Sequence, residues 1–210
     1  QYEELQHYDG TIISDEDATA AEREELTAYL QSSPEIQRFT EVQLTKLTAQ
    51  SGNSNISVYV YVPENLENFR QDVTLRNRVT GEQYELTDEG AAISEKTATL
   101  MGIQVGDEIT LEKDNREYRA KVAVITENYM GHYIYMTPAV YEQTFGEKPE
   151  YEDIVFSVKE EYKDQAERVG EKIIEYPAAL SISYTTSTAD QVDRMLGTLD
   201  IVIVVLIVSA

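Results

Sequence analysis

Hydrophobic and polar positions alternate in short runs along most of this chain, and in five places the pattern turns helical. Tyr8 to Ser14 reads as a first strand. After Asp15-Glu16-Asp17 the pattern predicts a helix of about fifteen residues, with Ala21, Leu26, Tyr29 and Leu30 as its buried side. Pro34 marks the way out of it. Arg38 to Ala49 is strand-like. After the turn cluster Ser51 to Asn55, the run Ile56 to Val62 places Val58, Val60 and Val62 on one face and Tyr59 and Tyr61 on the other. Asp72 to Leu75 and a hairpin from Arg78 to Leu86, turning at Thr80-Gly81, open a β-rich middle region.

The middle carries the densest punctuation. Ala91-Ala92-Ile93 reads as a short strand and Ser94 stands where an N-cap belongs. Glu95 to Met101 then make a short helix closed by Gly102, which accepts a left-handed conformation without a Cβ penalty. Val105-Gly106-Asp107 is a turn. Ile109 and Leu111 alternate in one strand, Lys113 to Arg116 form a hairpin loop, and Tyr118, Ala120, Val122 and Val124 alternate in the next.

Beyond Met136 the helical spacing returns. Thr137-Pro138 is an N-cap with Pro at the first helical position, opening a short helix that stops at Gly146. Asp153 to Val158 alternates as a strand. Glu160 to Tyr176 is the second long helix, with Tyr162, Ala166, Val169, Ile173 and Tyr176 along one stripe. Ala179 to Tyr184 is a last strand. Two outer parts, β-α-β-β and β-α-β, predict an α+β fold: a ferredoxin-like layer of one antiparallel sheet with helices on one face, and a smaller β-rich subdomain inserted in it. The expected divisions are 1–70 and 137–188 for the two halves of the layer, 71–136 for the insert, and 189–210 for a closing helix with an apolar run.

That closing segment has two readings. Ile201 to Val208 is uninterrupted and apolar, and on periodicity alone it suits a buried strand as well as the start of a membrane helix. It falls short of the roughly 20 residues that span a bilayer. It follows a predicted helix, Ala189 to Leu199, with no turn residue after Gly197, which favours the membrane reading. The polar start at Gln1, without a basic and then apolar leader, predicts either a cytosolic chain or a piece of a longer one, and the apolar run favours the piece.

Charge and composition narrow the functions. The 210 residues hold 39 acidic and 17 basic side chains, a net charge of −22, which repels phosphate backbones and argues against nucleic acid as a partner. With no cysteine there is no disulfide, thiolate nucleophile or thiolate metal site. The two histidines, His7 and His132, lie far apart. No nucleophile elbow, phosphate-binding loop or dinucleotide fingerprint stands in its proper context. Asp15, Glu16 and Asp17 lack the alternating ligands and glycine of a calcium loop, and read as charge favouring a helix N-terminus. No catalytic residue, cofactor or metal site is predicted.

The motif ISEK-x-A-x-x-x-G-x-x-VGD-x-ITL (from Ile93), with ENYMGHYIYMTPAVYEQTFG (from Glu127) and VDRMLGTLDIVIVVLIVSA (from Val192), resembles the extracytoplasmic domain of FtsX-like, MacB-type ABC transporter permeases of low-GC Gram-positive bacteria. The resemblance implies an α+β porter subdomain interrupted by a β-rich one, carried on the extracellular face of the cell membrane between the first two membrane helices. It implies a non-catalytic domain that couples ATP hydrolysis by a separate ABC ATPase subunit, through the membrane part, to export, extraction or signalling outside the cell. The partners expected outside are a peptide, a lipid or a cell-wall protein. A membrane-tethered sensor or binding module for a peptide or surface polymer is the alternative. A soluble acidic enzyme with a buried C-terminal strand is the third reading. The one candidate contact site is Tyr129, Met130, His132 and Tyr133, an aromatic and methionine-rich stretch around Gly131. The plainer reading of the same stretch, a strand with Tyr133 and Tyr135 packed on the core, explains its period of two by itself.

Overall fold

The computed structural model describes residues 5–52, 54–128 and 131–185. Strand β1 (Gly10–Ser14) leads to helix α1 (Ala20–Ser32), and β2 (Ile36–Ser51) runs for 16 residues before turning back as β3 (Ser54–Pro63). Helix α2 (Leu66–Asp72) and the small hairpin β4 (Leu75–Arg76) and β5 (Gln83–Tyr84) follow. Then come β6 (Ala91–Ser94), α3 (Glu95–Met101), β7 (Glu108–Lys113), β8 (Arg116–Thr126) and β9 (Tyr133–Tyr135). The chain closes through α4 (Pro138–Phe145), β10 (Asp153–Val158), a 3-10 turn (Glu160–Gln165), α5 (Ala166–Ile174) and β11 (Ala179–Tyr184).

Among the described residues nine strands form one sheet in the order β11-β1-β10-β2-β3-β9-β6-β8-β7, and β7 pairs back onto β2. That last pairing, Thr48 opposite Glu112 and Gln50 opposite Thr110, closes β2, β3, β9, β6, β8 and β7 into a six-stranded barrel. The other strands make an open antiparallel layer on the near half of β2. Strand β2 therefore serves both: Ile36 to Val42 pairs with β10 and Thr48 to Gln50 with β7. The alternation read in the sequence explains the barrel filling. Val58, Val60 and Val62 meet Ile109, Leu111, Ala120 and Val122 inside, while α4 lays Val140, Tyr141 and Phe145 against the same core.

A second core lies between the open layer and its helices, with Ile12, Ile154 and Phe156 under Leu26 and Leu30 of α1 and Val169 and Ile173 of α5. A third covers another face of the sheet, where Tyr61, Tyr135 and Val155 are roofed by Tyr8, Phe69 of α2, Val73 and Leu75.

Several local expectations are met residue by residue. The Ser94 side chain accepts from the Thr97 amide, Gly102 is left-handed at φ 66°, and α4 starts from a Thr137 cap with Pro at its first position. Others need correction. The cap of α1 is Thr19, which forms a reciprocal capping box with Glu22; Asp15 instead accepts from the Asp17 amide in the turn before. Ala21 is exposed, because the buried side of α1 is narrower than expected and runs through Leu26 and Leu30. Asp72 ends a helix instead of opening a strand, since Asn65 caps Leu66–Asp72 through its side chain. The helix expected over Glu160 to Tyr176 is α-helical only from Ala166, after the 3-10 turn. Val124 packs in the third core and not in the barrel, because the register between β6 and β8 shifts at Ala91/Ala92. The predicted closing helix and apolar run lie outside the described residues. No helix of the described residues is long and apolar enough to cross a membrane.

Candidate functional site

Of the four residues singled out in the sequence, Tyr129 and Met130 lie outside the described residues. Tyr133 opens β9, which runs parallel to β3 and antiparallel to β6. The His132 carbonyl extends the parallel ladder by accepting from the Tyr59 amide at 2.8 Å. On the outer surface Tyr133 stacks on Tyr135 with centroids 5.7 Å apart and rings 8° from parallel, and it tilts against Tyr59, which is 38% exposed. The period of two thus sets a graded column: Tyr135 is buried, Tyr133 half-buried and Tyr59 open to solvent.

His132 is tied to the cap of α3. Its Nδ1 lies 3.0 Å from the Thr97 hydroxyl, which lies 2.7 Å from the Ser94 hydroxyl, and that hydroxyl accepts from the Thr97 amide. A hydroxyl against an imidazole is the pairing of an activated nucleophile. Here Ser94 and Thr97 are both wholly buried, so the pair holds the helix start and offers no reactive oxygen to a substrate. Partial burial and the nearby Lys96 charge push the His132 imidazole below its ordinary value, favouring the neutral ring.

Next to this cap lies an open groove of about 390 Å³, lined by Arg78, Glu95, Lys96, Thr99, Leu100, Glu127 and Asn128. Its charges are largely paired. Arg78 meets Glu95 at 3.0 Å, and buried Glu127 meets Arg76 at 2.6 Å. Leu100 supplies an exposed apolar wall and Lys96 an ammonium. The groove can therefore hold a side chain or a short polymer segment by contact and charge. Among the described residues no three His, Cys, Asp or Glu side chains gather as metal ligands.

Sequence reasoning missed the buried polar contacts that fix the surroundings. Arg38 and Thr40 of β2 both bond the Asp72 carboxylate, and Arg168 and Lys172 of α5 clamp Glu35. Each joins residues more than 30 positions apart, a distance at which no local spacing rule operates.

No protein-family model matches the chain, and no curated protein matches it. Among solved structures the chain is similar to the periplasmic region of MacB from Actinobacillus actinomycetemcomitans, at 10% identity, over 92% of this chain and 94% of that one, with a TM-score of 0.48. It is also similar to the extracellular domain of the noncanonic ABC-type transporter YknZ from Gram-positive bacteria, at 10% identity, over 85% of this chain and 99% of that one, with a TM-score of 0.46.

Proposed function

We propose that this chain is a non-catalytic extracellular domain of an FtsX-like, MacB-type ABC permease subunit, carried between two membrane helices. It passes motion driven by a cytoplasmic ATPase subunit to events at the cell surface: export, extraction or signalling. The observation that carries the reading is the way the chain enters and leaves its sheet. Gly10 at the start of β1 sits opposite Tyr184 at the end of β11, and the Thr185 amide donates to the Asp9 carbonyl at 2.9 Å. Entry and exit are side by side, as a domain held by two neighbouring membrane helices requires.

The same reading assigns the β11-β1-β10-β2 layer with α1 and α5 to a ferredoxin-like porter part, built from 1–70 and 137–188. Residues 71–136 are the insert, leaning on β2 and β3 to complete the barrel, and 189–210 lead into the membrane. Order and antiparallel pairing in the layer support this assignment. The surface around Tyr129, Met130, His132 and Tyr133 is its contact with a peptide, lipid or cell-wall protein, and the exposure of Tyr59 beside Tyr133 supports that role.

The test uses the full-length polypeptide extracted from membranes in detergent. Co-purification of a nucleotide-binding subunit with vanadate-sensitive ATPase activity is the expected result. A soluble protein without such a subunit would overturn the reading. The groove beside α3 favours the second reading, a tethered binding module. Saturable binding of a peptide or surface polymer, lost on Leu100→Asp, distinguishes it from a purely mechanical coupler.

A further inference from the structure

Residues Leu5 to Asp9 cross the third core as a narrow band fastened on both sides. Toward the joint of α2 and β4, the His7 amide donates to the Asp72 carbonyl at 2.7 Å and the Thr74 amide to the Leu5 carbonyl at 2.8 Å. These two bonds frame a single antiparallel bridge between Gln6 and Val73. Toward β10, the Asp9 amide donates to the Phe156 carbonyl at 2.8 Å, the Ser157 hydroxyl to the His7 carbonyl at 3.1 Å, and the Val158 amide to the Asp9 carboxylate at 2.7 Å. Tyr8 points inward to Tyr61, Phe69 and Tyr135.

Beneath this band the packing is imperfect in one respect. The Tyr61 hydroxyl is buried and has no hydrogen-bond partner among the described residues. The Gln6 side chain reaches the hydroxyls of Tyr133 and Tyr135, and Tyr61 packs edge-on against Tyr135, so the Tyr61 hydroxyl belongs to the cluster that the band covers. A buried polar group without a partner loses its hydration and gains nothing in return, so admitting water at this place recovers a lost interaction.

We infer that Leu5–Asp9 is a strap with two positions: docked across the α2–β4 joint, as in this structure, and lifted, with the Tyr61 hydroxyl hydrated. Its function rests on the permease reading above. There the strap lies on the path from the first membrane helix into β1, so displacement of that helix peels the bridge at Gln6 and Val73 and loosens α2 and β4. The strap is the point where movement of the membrane part first becomes a change in packing. At its other end, Asp9 stays anchored to β10 and to Lys163.

Two measurements on the full-length polypeptide test this separately. In native-state hydrogen exchange, the His7 and Thr74 amides should exchange at least about 100-fold faster than the paired amides of β1 and β10, and independently of low denaturant, as local opening requires. Equal protection at both places would overturn the strap. The second measurement locks it. The bonds flanking Gln6 and Val73 make them a non-hydrogen-bonded pair, whose Cα atoms lie about 4.5 Å apart, within reach of a disulfide. These 210 residues contain no cysteine to compete. Oxidising the Gln6→Cys/Val73→Cys variant should lower vanadate-sensitive ATPase activity about tenfold, with recovery on reduction, and the reduced variant serves as the control for folding. Unchanged activity in the fully cross-linked protein would overturn the coupling role. If the unsubstituted protein carries no ATPase subunit at all, the permease reading fails, and the exchange measurement alone still decides whether the strap opens.

Discussion

Arg38 and Asp72 form an ion pair at 2.7 Å in which the carboxylate side chain is 2% exposed and the guanidinium 16%. The pair ties the end of α2 to the open part of the sheet, and Thr40 adds a 2.7 Å bond to the second carboxylate oxygen. Removing one member strands the other charge in a poorly hydrated place. Asp72→Ala should therefore cost about 3–5 kcal/mol, whereas replacing both residues by apolar ones of similar volume should cost much less. Urea unfolding of the two variants checks this; equal losses would contradict it.

Two glutamates, Glu35 just before β2 and Glu41 within it, should answer acid in opposite ways. Lys172, bonded to Glu35 at 2.9 Å, and then Arg168 hold that carboxyl below the usual 4.5. A lowered value means stability that is present at neutral pH and lost as pH falls through the folded-state value. Glu35→Gln should be destabilising at pH 7, with the gap to the parent closing below about pH 4. A gap of constant size from pH 7 to pH 3 would refute it.

Glu41 is the reverse case. Burial, then a hydrogen bond and the charge of Glu64, raise its carboxyl above the usual value. The folded state then resists ionising it, and stability is lost as pH rises through the raised value. Glu41→Gln should stabilise the protein at pH 7 and make little difference near pH 4. Thermal melts at both values suffice, and a loss of stability at pH 7 would count against the argument.

His132 gives a third pH signature. Partial burial, then Lys96, disfavour the imidazolium in the folded state, so stability should decline as pH falls below the unfolded value of 6.5. His132→Asn should flatten the profile between pH 7 and 5 while costing about 1 kcal/mol at pH 7 through the bond to Thr97. A parent profile already flat in that window would remove the effect.

Gly90 precedes β6 where two backbones nearly touch. A Cβ there would lie 2.5 Å from the Lys121 carbonyl oxygen and 3.1 Å from the Ala123 amide nitrogen. Neither can swing aside as a side chain could. Gly90→Ala should cost about 3 kcal/mol, the upper end of ordinary overpacking, and shift the equilibrium urea midpoint accordingly. An unchanged midpoint would show that β8 yields.

The sequence was most readable where structure is set by neighbours in the chain. Ser94, Gly102, Thr137 and Gly146 each fix a helix end through bonds within a few residues, and all four stand as read. Alternation over Ile56 to Val62 likewise gave both faces of β3. Helix α2 went unread because seven residues give too little periodicity, and its Asn65 cap stands beside charges that look like loop. Barrel closure was also hidden. It depends on three pairs between Thr48–Gln50 and Thr110–Glu112, which no local pattern specifies. At the candidate site, the tyrosine column followed from a period of two. The tether from His132 to Thr97 spans 35 positions and had no signal.

One strand, β2, has 16 residues and belongs at one end to the layer and at the other to the barrel. At about 3.3 Å per residue it is a continuous spar of roughly 50 Å. Its first part is held by the ladder with β10 and the rest by the ten-pair ladder with β3, the two meeting at Val42. A displacement of the layer near Ile36 therefore reaches the barrel near Ser51 along one unbroken backbone, with no loop between the two parts to absorb it.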